Sequence, residues 1–162
     1  MVCTNRDITE QKRREQALES QRSRLRVLFD QSPDNIIVHD DEGAVLDVNE
    51  RQVSTLGYDR ETLLERGVEG ITIETESFSP DRIPRTIERV ADGEDVEPYE
   101  QAIETADGER RWLEINPTSA VIDGEERFLA ISRDITERRR RQRRLETERD
   151  RRSILFENTP DP

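Results

Sequence analysis

The feature that most constrains the fold of this chain is a segment that occurs twice. Residues 6–34 and residues 133–161 align without gaps at an offset of 127 positions, and 15 of the 29 aligned positions are identical. Both copies begin with Arg-Asp-Ile-Thr-Glu, continue without Gly or Pro through a charged stretch, and end in Pro-Asp. Such a repeat indicates one period of an array, so the residues between the copies are expected to hold one complete structural unit.

The charged part of each copy predicts a helix, over residues 10–30 and 137–156. Good helix formers dominate the first helix and Thr9 can cap it, while Pro33 and Pro160 stop the two helices. Three residues of the first helix fit a heptad, but its other seam positions are polar, which is typical of a weak coiled coil. These residues are Leu18, Leu25 and Leu28.

Between the helices, apolar alternation and turn signals predict an antiparallel sheet. Residues 36–48 form a predicted hairpin with Gly43 in its turn. Three later strands within residues 96–135 form a meander, because turns at Asp107-Gly108 and Asp123-Gly124 join them. The predicted fold class is α+β, a five-stranded antiparallel sheet with short helices on one face. Residues 68–78 give no clear pattern, and the short helices are predicted at 49–56, 58–67 and 79–93.

The charge is distributed unevenly. Residues 27–132 carry a net charge of −18, whereas residues 6–26 carry +3 and residues 133–153 carry +5. With one Lys and 25 Arg, the acidic surface is similar to that of proteins from salt-loving archaea, where salt screens the self-repulsion. An acidic surface in an ordinary organism stays open as the alternative. Because the acidic middle repels phosphates, we expect no direct nucleic-acid binding by the Arg run 138–141.

Few residues have the chemistry of a catalytic or metal site. The single Cys3 excludes an internal disulfide and a multi-cysteine zinc site, and the single His39 lacks the further His or Cys ligands of a metal site, so we expect His39 to be structural. No phosphate-binding loop, kinase motif or catalytic triad occurs, which predicts a non-catalytic segment. No apolar run approaches the ~20 residues of a membrane span, and residues 6–14 are too polar for a signal peptide. A cytoplasmic segment without membrane contact is expected.

Four stretches, taken in this order and spacing, resemble the PAS domain of signalling proteins with its PAC motif. The likeness covers about residues 31–136 and is weakest at residues 68–78, and it implies the PAS fold. The stretches are "SPDNIIVHDDEGAVLDVNE", "LGYDRETLLERG", "TADGERRWLEI" and "FLAISRDITERRRR".

The resemblance also implies a domain organisation and a function. The chain looks like a slice through a multi-PAS protein, such as a haloarchaeal sensor histidine kinase, in which the module senses or relays a signal. Implied partners are a second copy, bound through the linker helices and the PAS surface, the neighbouring PAS domains and a downstream kinase domain. A ligand-free dimerisation or spacer module, or a PAS module of a transcription regulator, remains an alternative. The expected parts are the tail of a preceding PAS domain (1–9), a linker helix (10–30), a complete PAS domain (31–136), a second linker helix (137–156) and the start of a following PAS domain (157–162).

The residues Asp134, Ile135 and Thr136 stand where the last strand is predicted to end. From the residues alone, Thr136 can cap the following helix and Asp134 can pair with an arginine, so a plain helix cap is one interpretation. The resemblance implies a signalling role in addition, in which this segment passes strain from the sheet to the output helix. The candidate partners of Asp134 are Arg110, Arg111 and Arg133.

Thirteen apolar residues could line a ligand cavity, or could equally fill a packed core. They are Val38, Val48, Val53, Leu56, Leu64, Ile71, Ile87, Val90, Ile103, Leu113, Ile115, Leu129 and Ile131. Structural roles are expected for Asn49, Gly57 and Trp112. The resemblance argues against a flavin–cysteine photoadduct, because residues 31–136 contain no Cys, and against histidine-ligated haem, because the helix at 79–93 contains no His. No cofactor is evident, and a small-molecule ligand stays open.

Overall fold

The computed structural model describes the backbone of residues 3–157 and the side chains of residues 7–157. The chain forms one six-stranded sheet with helices around it. The strands are β1 (Asn35–His39), β2 (Val45–Val48), β3 (Thr72–Ile73), β4 (Tyr99–Glu104), β5 (Arg110–Ile122) and β6 (Glu125–Asp134). The helices are α1 (Cys3–Asp30), α2 (Glu50–Leu56), α3 (Arg60–Arg66), α4 (Arg82–Ala91) and α5 (Thr136–Glu157), with a 3-10 turn at Glu69–Ile71.

The sheet has the strand order β2-β1-β6-β5-β4-β3, and every neighbouring pair is antiparallel. The first strand therefore lies beside the last one, with Asn35 opposite Ser132. The antiparallel sheet and its late meander confirm the predicted fold class, but the predicted count of five strands was wrong by one. The sixth strand, β3, has only two residues, which is too short for an alternating pattern to reveal it.

Local turn chemistry sets the hairpins and the short helices. Asp123 and Gly124, between β5 and β6, have φ values of 53° and 79°, as a two-residue hairpin turn of type I′ requires. Asn49 accepts a hydrogen bond from the Gln52 amide and caps α2, and Gly57 ends that helix with φ at 75°. These turns and boundaries confirm the sequence predictions.

The apolar core lies between the sheet and the helices α2 to α4. Its most deeply buried members include Val48, Leu56, Leu63 and Ile103, each at most 2 % exposed. Most of α1 and α5 lies outside this core, since the side chains of both helices are almost all exposed. The two long helices are therefore stabilised mainly at the ends where they join the sheet.

The two copies of Arg-Asp-Ile-Thr-Glu have different structures. Helix α1 begins at Cys3 and passes through Thr9, so the expected N-cap at Thr9 was wrong and residues 3–9 are helical. In the second copy Asp134 ends β6 and Thr136 begins α5. In the second copy the backbone of Trp112 in β5 binds the junction, and a tertiary contact of this kind overrides local sequence preference. Of the expected start of a following domain, residues 158–162 lie outside the described residues, as do residues 1 and 2 of the expected preceding tail.

Candidate functional site

The junction between β6 and α5, which we call the C-terminal junction (Asp134–Thr136), is held by Trp112 of β5. The Ile135 amide donates to the Trp112 carbonyl at 2.8 Å, and the Trp112 amide donates to the Thr136 hydroxyl at 2.9 Å. Asp134 Oδ1 accepts from the amide and the hydroxyl of Thr136, at 2.9 and 2.5 Å. Asp134, rather than Thr136, thus accepts the hydrogen bond of the first helical amide, and Thr136 links the helix to the sheet.

The charge of Asp134 is compensated by one of its three candidate arginines. Arg111 Nη1 lies 2.9 Å from Asp134 Oδ2, whereas Arg133 pairs with Asp34 and Arg110 stands opposite Glu104 in β4. Burial alone would raise the pKa of Asp134, but the hydrogen bonds from Thr136 and Arg111 outweigh it and hold this pKa below its ordinary value. Asp134 is therefore a carboxylate at neutral pH.

The first turns of α5 pack on the outer face of the sheet. The Arg139 guanidinium lies 3.7 Å from the centroid of the Trp112 ring, in a cation–π contact, and its other partner is the carboxylate of Glu100 in β4. Arg138 lies 3.3 Å from Glu114 of β5. Trp112 is thus a packing anchor for the helix as well as its hydrogen-bond partner, so β4 and β5 set the direction in which α5 leaves the domain.

The connection between α1 and β1, which we call the N-terminal junction (Phe29–Asn35 with Asn49), is centred on Asn49. Its side chain is fully buried and makes four hydrogen bonds. Nδ2 donates to the carbonyls of Phe29 and Asp34, and Oδ1 accepts from the amides of Ile36 and Gln52, all at 3.0 to 3.1 Å. Sequence analysis predicted a structural role for Asn49 but not its contacts with α1 and β1, because they involve residues that are distant in the chain.

The two junctions lie side by side. Arg133 Nε is 2.8 Å from Asp34 Oδ1, although 99 residues separate them in the chain. Arg133 belongs to the second repeated segment and Asp34 to the first. Because β1 and β6 are antiparallel neighbours, the end of α1 and the start of α5 lie at the same end of this strand pair.

A cavity of about 40 Å³ lies between α4 and the inner face of the sheet. The predicted cavity residues divide into two groups. Seven line the cavity, namely Ile71, Ile87, Val90, Ile103, Leu113, Ile115 and Leu129. Six lie elsewhere, namely Val38, Val48, Val53, Leu56, Leu64 and Ile131. Val38 and Ile131 point away because their strand neighbours Ile37 and Ala130 face the cavity, and side chains alternate along a strand.

The cavity wall also contains polar residues, which the sequence analysis did not predict as lining because it considered only apolar residues for the cavity. They include His39, Gln52, Thr86, Thr118 and Ser132. Burial lowers the pKa of His39, although its hydrogen-bond contact with the carbonyl of the next residue acts in the opposite sense. The lowered pKa means that the imidazole is neutral at neutral pH. Its ring stacks on the Phe128 ring, with 5.9 Å between centroids. The sequence did contain a signal for the burial of Gln52, because it lies four residues before the buried Leu56 on the same face of α2.

Two features are absent from residues 3–157, a metal-ligating cluster and a membrane-spanning helix. No group of three or more His, Cys, Asp or Glu side chains could hold a metal ion there. None of the helices in this part of the chain combines the length and hydrophobicity needed to cross a membrane.

Comparison with known proteins agrees with this architecture. The chain is 36% identical to the PAS domain of an HTR-like protein from Haloarcula marismortui, with a TM-score of 0.65 over 76% of this chain and 99% of that one. It is 29% identical to a domain of the sensory box sensor histidine kinase/response regulator from Geobacter sulfurreducens, with a TM-score of 0.57 over 72% and 96% of the two chains.

A PAS domain from a two-component sensor histidine kinase is 15% identical and shares the fold, with a TM-score of 0.57 over 72% of this chain and 97% of that one. Among curated proteins no sequence matches the chain. The family model described as PAS fold matches residues 29–140, which is more than half of the sequence. The chain therefore belongs to the PAS family.

Proposed function

We propose that residues 31–136 form a sensory or relay module of a two-component sensor histidine kinase, and that the C-terminal junction passes its conformational change to α5. The observation that carries this proposal is the attachment of α5 to the sheet. Four hydrogen bonds join Trp112 and Asp134 to the start of α5, and the cation–π contact of Arg139 adds a fifth link. The similarity to a domain of the sensory box sensor histidine kinase/response regulator from Geobacter sulfurreducens supports this output.

The proposed coupling mechanism follows from the hydrogen bonds between Trp112 and the C-terminal junction. Both backbone polar groups of Trp112 bind the junction, so a shift of β5 relative to β6 displaces the first turn of α5. A helix of 22 residues is roughly 33 Å long. A tilt of about 5° at its base therefore moves its far end by about 3 Å, which is large enough to change how a helix packs against a neighbouring helix.

Input can come from the cavity or from the preceding helix. α1 is held to the domain by Asn49 and by the ion pair of Arg26 with Asp47, whose atoms are 2.7 Å apart. The adjacent junctions, linked by Arg133 and Asp34, then allow movement of α1 to reach α5 without a ligand. In this proposal the residues before position 31 and after position 136 are linkers to neighbouring PAS domains, as the repeat implies.

The linker helices are proposed to pair with those of a second copy. The heptad leucines Leu18, Leu25 and Leu28 are 56 %, 61 % and 68 % exposed, so α1 has an uncovered apolar stripe. The remaining seam positions are polar, which makes any one register only weakly favoured and permits a shift between registers.

The test is autophosphorylation of the full-length protein with Asp134→Ala, compared with wild type in the presence and absence of the signal. The matched control is Glu126→Ala, which removes an exposed carboxylate at the opposite end of β6. We expect the Asp134 variant to fold but to lose the difference between the two signalling states, whereas the control keeps it. Normal control of kinase activity in Asp134→Ala would refute the relay.

A ligand-free spacer is the second candidate, and the small size of the cavity favours it. Native mass spectrometry of the gently purified chain distinguishes a ligand-binding sensor from a spacer, because such a sensor retains a bound molecule and a spacer does not. A PAS module of a transcription regulator would share this geometry, and a DNA-binding domain in the parent protein would identify it.

A further inference from the structure

Gln52 is a buried polar side chain without a protein partner. It lies on α2, its exposure is 0 %, and it forms part of the cavity wall. Among the residues that the structure describes, neither its Nε2 nor its Oε1 has a hydrogen-bond partner. A buried amide in this position destabilises the fold, because it has lost the hydrogen bonds that water gives it in the unfolded chain.

An apolar side chain would avoid this cost. Leucine is close to glutamine in size and would fill the same space without a buried donor and acceptor. Gln52 is already adjacent to the cap of α2, but that cap uses only its backbone amide. The side-chain amide therefore makes no hydrogen bond within the described part of the chain, and a partner in the cavity would supply both the missing donor and the missing acceptor.

The cavity limits what this partner can be. A volume of about 40 Å³ accepts roughly three or four non-hydrogen atoms, because one water needs about 10–15 Å³ on this measure. Its wall contains no Asp, Glu, Lys or Arg in the described residues, so a charged ligand would lose its hydration without compensation. Aliphatic side chains such as Ile83, Ile87 and Ile115 form much of the surface.

We infer that Gln52 is the recognition residue for a small neutral primary amide, which pairs with it through two side-by-side hydrogen bonds. The amide of such a ligand donates to Oε1 and accepts from Nε2, so both unpaired atoms gain a partner at once. A one-carbon remainder fits the aliphatic wall. This inference deepens the proposed function, since it names the ligand class of the sensory input.

The probe is acetamide, added to the full chain of 162 residues labelled with ¹⁵N, and the readout is the side-chain NH₂ pair of Gln52. We expect saturable shifts of this pair, and at least tenfold weaker binding in Gln52→Leu, as followed by backbone shifts around the cavity. Gln101→Leu is the matched control, because Gln101 is also buried with an unpaired Oε1 but does not line the cavity. N,N-dimethylacetamide, which has no N–H donor, is the matched ligand and should not bind.

A second readout separates recognition from a structural role. Without acetamide, Gln52→Leu should unfold at a higher temperature than wild type, and acetamide should raise the melting temperature of wild type only. The inference is overturned by shifts that stay linear to 100 mM, by equal binding in Gln52→Leu, or by ordered waters on Gln52 that acetamide does not displace. None of these outcomes bears on the relay through the C-terminal junction, because the Asp134→Ala kinase assay tests that relay separately.

Discussion

Replacing Asp134 with alanine removes the side-chain contacts by which this residue holds the start of α5. Oδ1 loses two hydrogen bonds from Thr136, and Oδ2 loses the ion pair with Arg111. Loss of a helix cap costs about 1 kcal/mol, and a partly exposed ion pair adds about 0.5 kcal/mol. We therefore expect the free energy of unfolding to fall by about 1.5 kcal/mol, or about 3–6 °C in melting temperature for a chain of 162 residues.

Two further variants divide this loss into its parts. Asp134→Asn keeps an oxygen that can accept from Thr136 but lacks the charge for Arg111, so it should cost only about 0.5 kcal/mol. Arg111→Ala should cost a similar amount, and the double variant should show that the two substitutions share one ion pair. Urea unfolding followed by circular dichroism measures the wild type, the three single variants and the double variant. A loss in Asp134→Asn as large as in Asp134→Ala would refute the capping role.

The pH dependence of the stability difference between wild type and Asp134→Asn tests the role of the Asp134 charge. The pKa of Asp134 in the folded chain lies below its ordinary value of 3.8. Its ionised form therefore stabilises the fold fully above that ordinary value, and the stabilisation is lost as the pH falls through the lower, folded pKa. The stability difference between wild type and Asp134→Asn should be constant near neutral pH and shrink in acid below pH 3.8. A difference that is unchanged in acid would contradict the assigned ion pair.

Three other expectations follow from the structure. Asn49→Ala should lower the free energy of unfolding by about 3 kcal/mol in urea, because four backbone groups lose their hydrogen bond to the buried Asn49 side chain, and a loss below 1 kcal/mol would contradict it. Arg139→Ala should shift the fluorescence of Trp112, the only Trp of the chain, while Arg139→Lys shifts it less; unchanged emission in both would exclude the cation–π contact. The folded pKa of His39 lies below 6.5, so wild type should lose stability as the pH falls from 6.5 through that pKa, and His39→Phe should remove this loss in pH-dependent unfolding.

Local chemistry made much of the fold predictable. The Asp123-Gly124 turn, the cap at Asn49 and the helix end at Gly57 each depend on residues within a few positions of one another. Their side chains and backbone preferences therefore fix the structure wherever the rest of the chain lies. The same holds for the long strands β5 and β6, whose alternating residues extend over ten or more positions.

Features that depend on distant partners could not be predicted in this way. Arg-Asp-Ile-Thr-Glu is helical in α1 and forms the strand-to-helix junction in its second copy, where residues distant in the chain, including Trp112, bind it. The cavity was predicted from apolar character, which does not reveal which face of a strand a residue such as Val38 or Ile131 occupies. Gln52 was missed for the opposite reason, because a polar side chain was not expected in a core.

The most direct test of the account is a distance across the C-terminal junction. Spin labels at Ala120→Cys on β5 and Ser153→Cys near the end of α5, both exposed sites, are introduced in a Cys3→Ser chain, diluted with unlabelled protein and measured by pulsed electron spin resonance. If Asp134 fixes the direction of α5, wild type gives one narrow distance distribution and Asp134→Ala a distribution at least twice as broad. Equal widths in the two proteins would contradict the claim that this junction couples the sheet to the helix.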